Sequence, residues 1–201
     1  MDFQDVIRFH GHACPGLALG FRASQAALHA LGNERSGDEE LVAIVENKSC
    51  AVDAIQAVLG CTFGKGNLVF RDYGNQVYTI LKRSSAEAVR IAVIWESPSE
   101  EPEQNAAWER YAAGERTREV LRVVHARKAV KLQAVLAAQE SALFEVRRVK
   151  MDLPEQARIY PSLRCSMCGE KVMASKTRER EGRQLCIPCA EGSRETEHLT
   201  G

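Results

Sequence analysis

Apolar residues follow two rhythms along this chain. From Pro15 to Leu31, PGLALGFRASQAALHAL is rich in helix formers, with Pro in a first-turn position and Gly32 as a C-terminal stop, and this predicts a helix. LVAIVENKS (41–49) is a β-branched apolar run that predicts a strand. CAVDAIQAVLG (50–60) returns to helical composition, with Ser49 as a candidate N-cap. NLVFRD (67–72) and QVYTILKR (76–83) predict two further strands, and the turn signal Tyr73-Gly74-Asn75 between them predicts a hairpin. VRIAVIW (89–95) predicts another buried strand. Residues 105–138 are helical in composition but broken at Gly114, which predicts two helices. Within them Leu121, Val124, Leu132, Val135 and Leu136 recur at three- and four-residue steps, a stripe suited either to core packing or to a homodimer surface. ALFEVRRV (142–149) predicts a fifth strand. The expected architecture is α+β, a mixed sheet with helices against it.

After Val149, MDLPEQARIYPS carries two prolines and little periodicity, and reads as an extended connector. We therefore expect an N-terminal α+β domain over residues 1–152, then a linker and a small second domain over residues 153–201.

With 201 residues, 45% of them hydrophobic, the chain can bury one full core and leave room for such a second unit. Its 27 basic and 27 acidic residues cancel, so charge gives no argument for nucleic acid, a membrane surface or a polyanion. No stretch approaches the roughly 18 apolar residues of a membrane span. MDFQDVIRFHGH is acidic where a signal peptide would be basic, and the expectation is a cytoplasmic protein. The seven cysteines, at positions 14, 50, 61, 165, 168, 186 and 189, form an odd set. In a reducing compartment they point to metal or thiol chemistry rather than a disulfide framework.

Four of them form the pattern Cys165-Ser-Met-Cys168, a spacer, then Cys186-Ile-Pro-Cys189. Each CxxC turn aims two thiolates at one point, and two such turns complete the tetrahedral sulfur shell of a structural zinc ion, with no open position. Redox dithiols and an iron–sulfur site are the alternatives. So small a unit cannot bury enough apolar surface alone, so metal binding would supply much of its folding free energy. Arg164, Lys171, Lys176, Arg178, Arg180 and Arg183 make it locally basic, while Glu170, Glu179 and Glu181 offset part of that charge, and we read a solvated face.

The second constellation is FHGHACPG (9–16). His10, His12 and Cys14 immediately precede one predicted helix, and Cys50 and Asp53 lie in the first turn of another. A helix N-terminus favours thiolate over thiol, which improves both nucleophilicity and affinity for a soft metal. If the two helix starts converge, His and Cys ligands could hold one zinc-like ion with a position open, as in catalytic sites. The plain alternative is that the cysteines are small buried apolar residues and the histidines are satisfied locally. The loop Gly60-Cys-Thr-Phe-Gly-Lys-Gly-Asn67 is not a Walker-type phosphate loop: its spacing is one residue short and no Ser or Thr follows Lys65. Cys61, Thr62 and Lys65 are instead candidates for the border of the same pocket. Asp53 and Gln56, one helical turn apart, could orient a ligand or form a merely polar surface pair. Cys14, Asp53 and Lys65 are the candidate catalytic residues. His29 and His125 lie in amphipathic runs and read as structural; His198 lies in a polar tail expected to lack fixed order.

FHGHACPGLALGFR, VENKSCAVDAIQ, GCTFGKGNL and CSMCGE…LCIPC, in that order, resemble the formylmethanofuran dehydrogenase E-subunit family of anaerobic archaea and bacteria. The resemblance implies an N-terminal α+β domain with a five-stranded mixed sheet flanked by helices, then a treble-clef zinc finger. It also implies a link to the molybdenum or tungsten enzyme that reduces carbon dioxide onto methanofuran, and so to methanogenesis-related one-carbon metabolism. No pterin, molybdenum or iron–sulfur pattern is present, which excludes the catalytic subunit of that enzyme. Carried onto this sequence, the family's pocket metal, expected to be a second zinc, has His10, His12, Cys14, Cys50 and Cys61 as candidate ligands. Three readings follow. One is a zinc-binding accessory protein whose partners are molybdenum or tungsten enzyme subunits. The others are a metal-dependent enzyme in its own right and a redox- or metal-sensing regulatory module.

Overall fold

The structure, a computed structural model, describes residues 1–32 and 35–192; His198 lies outside them. The chain forms two compact units that divide between Ala157 and Arg158.

The first unit opens with a helix beyond those expected from the sequence, α1 (Phe3–His10). A capping box starts it: the Asp5 N–H donates to the Asp2 carboxylate, and the Asp2 N–H donates to that of Asp5. Val6 is fully buried, and Phe3 packs against Phe21 with ring centroids 5.3 Å apart. Gly11, at φ 96°, ends the helix by donating its N–H to the Ile7 carbonyl. Then come α2 (Pro15–Leu31), β1 (Leu41–Val45) and α3 (Cys50–Leu59), with Gly32 and Gly60 as left-handed C-caps. Ser49 stands at the N-cap of α3 but makes no side-chain capping bond.

The sheet is completed by β2 (Leu68–Phe70), β3 (Val77–Lys82), β4 (Glu87–Val93) and β5 (Phe144–Val149), in the order β2-β1-β3-β4-β5. It is a five-stranded mixed sheet: β1 and β2 run parallel and the other neighbours are antiparallel. The predicted hairpin between β2 and β3 does not form, because β1 lies between them. The turn residues bridge the end of β1 instead. Tyr73 and Gly74 donate backbone N–H groups to the Glu46 carbonyl, at 3.2 and 2.8 Å, and this carries β3 to the far side of β1. The true hairpin joins β3 and β4.

Alternation along β1 divides its side chains between two faces. Leu41, Ala43 and Val45 join Tyr78, Ile80, Val89 and Ile91 beneath α2 and α3, while Val42 and Ile44 pack with Leu81 and Ala88 on the opposite face. α4 (Pro102–Ala112), α5 (Arg118–Ala137) and the short α6 (Glu140–Leu143) lie between β4 and β5 in sequence. In the predicted apolar stripe of α5, Val135 is fully buried in the main core, Leu132 and Leu136 pack against it, and Val124 packs towards α4. Arg22 on α2 donates to the carbonyls of Val135, Leu136 and Ala138 at 2.8–2.9 Å, satisfying the C-terminal end of α5. Arg83 ties the connector back to this unit through the Pro154 carbonyl, at 2.7 Å.

The second unit holds two two-stranded sheets, β6 (Ser162–Arg164) with β7 (Lys171–Met173) and β8 (Thr177–Arg180) with β9 (Arg183–Cys186), followed by α7 (Ile187–Glu191). Its buried apolar cluster is Cys165, Leu185, Cys186, Cys189 and Ala190. Three of those five are cysteines, so the apolar surface available to hold this unit is slight. Among the described residues no helix is long and apolar enough to cross a membrane.

Candidate metal centre and adjoining pocket

α2 and α3 cross at very close range. A Cβ placed on Gly20 would stand 2.2 Å from the Ala51 carbonyl oxygen and 2.5 Å from its Cα, so only glycine permits this approach. One turn earlier, a Cβ on Gly16 would meet the Cys50 Cβ at 3.5 Å. The two helix starts are thereby brought side by side, with Cys14 at the N-cap of α2 and Cys50 at the first position of α3. α1 delivers His10 from its last position, and the turn at Gly11 leads directly into His12.

Ligand atoms of His10, His12, Cys14 and Cys50 all lie within 4.8 Å of one another. The centre is graded in exposure: Cys14 is buried, His10 and Cys50 are half-buried and His12 is exposed. The His10 and His12 rings sit 4.5 Å apart. His10 Nδ1 lies 2.7 Å from Asp53 Oδ2, while its Nε2 is buried without a hydrogen-bond partner. The Leu17 N–H donates to the Cys14 sulfur at 3.4 Å, so that sulfur serves as the cap of α2. The helix start was expected to favour a Cys50 thiolate. Burial and the neighbouring Cys14 outweigh it, and the Cys50 thiol is pushed up to about 11. Two imidazoles and two thiols form a borderline-soft donor set that fits zinc.

A cavity of about 450 Å³ adjoins this group, with His10, Cys50 and Asp53 in its lining. Val45, Val52, Leu68 and Phe70 give it apolar walls; Asn47, Lys48 and Ser49 add polar ones. It opens at the carboxyl ends of the parallel strands β1 and β2, where open α/β sheets commonly bind ligands. Lys48 Nζ stands 4.8 Å over the Phe70 ring and 3.5 Å from Asp72. Asn47 Nδ2 donates to the Asn75 carbonyl at 2.7 Å, whereas Asn47 Oδ1 and the Tyr78 hydroxyl are buried without partners. The Tyr78 hydroxyl faces Asn47 and Ser49 without making a bond of ordinary geometry to either, and burial raises its pKa. The sequence did not mark Asn47, Lys48 or Ser49 as pocket residues, Ser49 being read only as an N-cap; the available signal was their place between the end of a strand and the start of a helix.

The other candidates stand apart. Cys61 follows α3 and is fully buried in the main core, where burial pushes its thiol up to about 12. Lys65 Nζ donates to the carbonyls of Gly37 and Asp38, at 3.3 and 2.7 Å, which fastens the 35–40 loop. Thr62 donates its N–H to Asn67 Oδ1, and Asn67 in turn donates to the Asp38 and Leu41 carbonyls. Gln56 reaches Asp53 Oδ1 at 3.4 Å through Nε2 and accepts the Phe63 N–H at 3.2 Å. His29 and His125 are exposed on their helices, outside the donor group.

In the second unit the sulfurs of Cys165, Cys168, Cys186 and Cys189 lie within 4.8 Å of one another, with Cys168 and Cys186 3.9 Å apart. The Cys186 N–H donates to the Cys165 sulfur at 3.3 Å. Backbone N–H groups of Cys168 and Cys186 lower the Cys165 thiol to about 6, so this sulfur is disposed to bind as a thiolate. Four converging sulfurs fit a closed tetrahedral zinc site.

Residues 158–195 match the prokaryotic dksA/traR C4-type zinc finger. The chain is 34% identical over 199 residues to a protein of Archaeoglobus fulgidus named a probable S-adenosyl-L-methionine-binding protein. That match takes in 90% of this chain and 50% of the other, so the chain spans about half the length of this curated relative. The crystal structure of an FmdE-like protein from Syntrophus aciditrophicus, named for tungsten formylmethanofuran dehydrogenase, shares the fold, with a TM-score of 0.58 and 24% identity over 96% of this chain and 91% of that one. Residues 9–145, more than half of the chain and the whole of the donor group and pocket, match the family described as FmdE, molybdenum formylmethanofuran dehydrogenase operon, and the chain belongs to that family.

Proposed function

We propose that this chain is a zinc-binding accessory protein of molybdenum- or tungsten-dependent one-carbon metabolism, with a second metal centre that presents an ion to a small-molecule pocket. The observation that carries this reading is the meeting of four donors from three separate segments, at the end of α1, the start of α2 and the start of α3. Such a set is assembled by the tertiary fold, and Gly20 makes the assembly possible. His10, His12, Cys14 and Cys50 would hold the ion, expected to be zinc, and Cys165, Cys168, Cys186 and Cys189 a structural zinc. An ion held there would supply Lewis acidity towards a molecule in the adjoining cavity. His12 would be the most exposed of the four ligands. The operon description of the family supports enzyme subunits of that pathway as partners.

The pocket falls within the usual size range of small-molecule sites. The name of the Archaeoglobus relative supports S-adenosyl-L-methionine as the first ligand to try, and the Asp53 carboxylate on the wall suits a molecule carrying positive charge. A second reading, a metal-dependent enzyme, is favoured by the same exposed His12 and by Asp53, a carboxylate within reach of the pocket to accept a proton.

Zinc K-edge absorption of the fully loaded chain tests the proposal. The expected average shell contains both nitrogen and sulfur, and Cys50→Ala removes the nitrogen component together with part of the zinc. A sulfur-only shell in the wild type contradicts a metal at the histidines.

A further inference from the structure

We infer that Asp53 is the positioning residue of the N-terminal centre: it holds His10 in the tautomer protonated at Nδ1, which makes Nε2 the donor atom. This rests on the metal-centre reading above. Asp53 is not one of the four converging donors, yet its Oδ2 lies 2.7 Å from His10 Nδ1. An ionised carboxylate only accepts, so the imidazole nitrogen facing it carries the hydrogen. That leaves the lone pair of the neutral ring on Nε2, which is buried and bonds to nothing else. An unsatisfied buried nitrogen is costly, and an occupant at that position would remove the cost.

The carboxylate is itself oriented. The Phe63 N–H donates to Gln56 Oε1, Gln56 Nε2 reaches Asp53 Oδ1, and Asp53 Oδ2 accepts from His10. Asp53 also lies in the first turn of α3, where the helix field favours negative charge. A backbone amide of the 61–67 loop thus fixes, through two side chains, the ring that faces the metal. Carboxylate–histidine pairs of this kind set ring orientation and raise ligand basicity, and their loss typically weakens metal binding by about 10- to 100-fold.

The test uses the full chain, wild type and with Asp53→Ala or Asp53→Asn, and two readouts. Nitrogen-15 chemical shifts of His10 in the metal-free protein report the tautomer directly, and competition with a chromophoric chelator reports zinc affinity at the N-terminal centre. The wild type is expected to show the Nδ1–H form. Asp53→Ala is expected to shift His10 towards the Nε2–H form and to weaken zinc binding by about 10- to 100-fold, while the four-cysteine site stays filled and the helical signal is unchanged. Asp53→Asn, whose amide oxygen still accepts, is expected to keep the tautomer and lose less affinity; it also serves as the readable variant if the alanine form does not fold. Unchanged tautomer and affinity in folded Asp53→Ala would overturn the inference alone. A wild type that binds no zinc outside the four-cysteine site overturns the metal-centre reading, and the inference with it.

Discussion

Gly20 and Ala51 approach so closely that a Cβ on the former would stand 2.2 Å from the carbonyl oxygen of the latter. The consequence reaches the proposed metal centre, because the same helix crossing sets Cys14 beside Cys50. Gly20→Ala is predicted to force α2 and α3 apart, to cost about 1–3 kcal/mol of stability, and to impair zinc binding at the N-terminal centre although no ligand is changed. Denaturant unfolding with a zinc count checks both halves; full stability with normal zinc content would show that the crossing tolerates a side chain.

Arg22 gives a second stability prediction. Its guanidinium serves three carbonyls at the end of α5, and hydrogen bonds from a charged donor contribute roughly 1.5–3 kcal/mol. Arg22→Ala should destabilise by about that amount and speed amide exchange in the last turn of α5 and in α6. Arg22→Lys should recover little, because an ammonium cannot reproduce the planar fork. Exchange confined to other elements would contradict this assignment.

Glu40 contributes to the acid limb of stability. The Ser36 hydroxyl donates to its Oε2 at 2.7 Å and the Asp38 N–H at 2.8 Å, and together with its own backbone N–H they hold the carboxyl at about 2, against an ordinary 4.5. A depressed carboxyl stabilises the fold fully above the unfolded value and loses that contribution as pH falls towards the folded one. The melting-temperature difference between wild type and Glu40→Gln should therefore be constant above about pH 4.5 and shrink between there and about pH 2. A difference that grows on acidification would reverse the assigned sign.

Zinc removal should unfold one unit only. The cluster around Cys165, Leu185, Cys186, Cys189 and Ala190 is too small to persist by apolar burial. Chelation is predicted to abolish amide protection across residues 162–191 while β1, β3 and β4 keep theirs. Equal loss in both units, or protection in the finger without metal, would contradict it.

The sequence was most informative where a rhythm was long or a spacing was chemically specific. α2 was legible with its ends because seventeen residues and a Gly cap leave little ambiguity. α1 was not: eight residues give little more than two turns, and its stripe of Phe3, Val6 and Ile7 is too short to stand out without the Asp2–Asp5 box that starts it. Tyr73-Gly74-Asn75 suggested a β2–β3 hairpin that does not form, since turn residues state that the chain bends and not which strand it bends around. The meeting of His10, Cys14 and Cys50 could be expected from their places at helix ends, but convergence depends on Gly20, whose role appears only in the packing. Cys61 illustrates the limit: nothing local distinguishes a thiol lining a pocket from one sealed in a core.

Whether this chain carries two metal centres is tested most directly by zinc per chain in anaerobically purified wild type, Cys14→Ala and Cys168→Ala. Two equivalents are expected for the wild type and one for each variant, with the Cys14→Ala protein retaining a folded finger. A wild type holding one equivalent that Cys14→Ala leaves in place and Cys168→Ala removes would contradict the two-centre reading, and would leave the N-terminal group as a cluster of histidines and thiols beside a pocket.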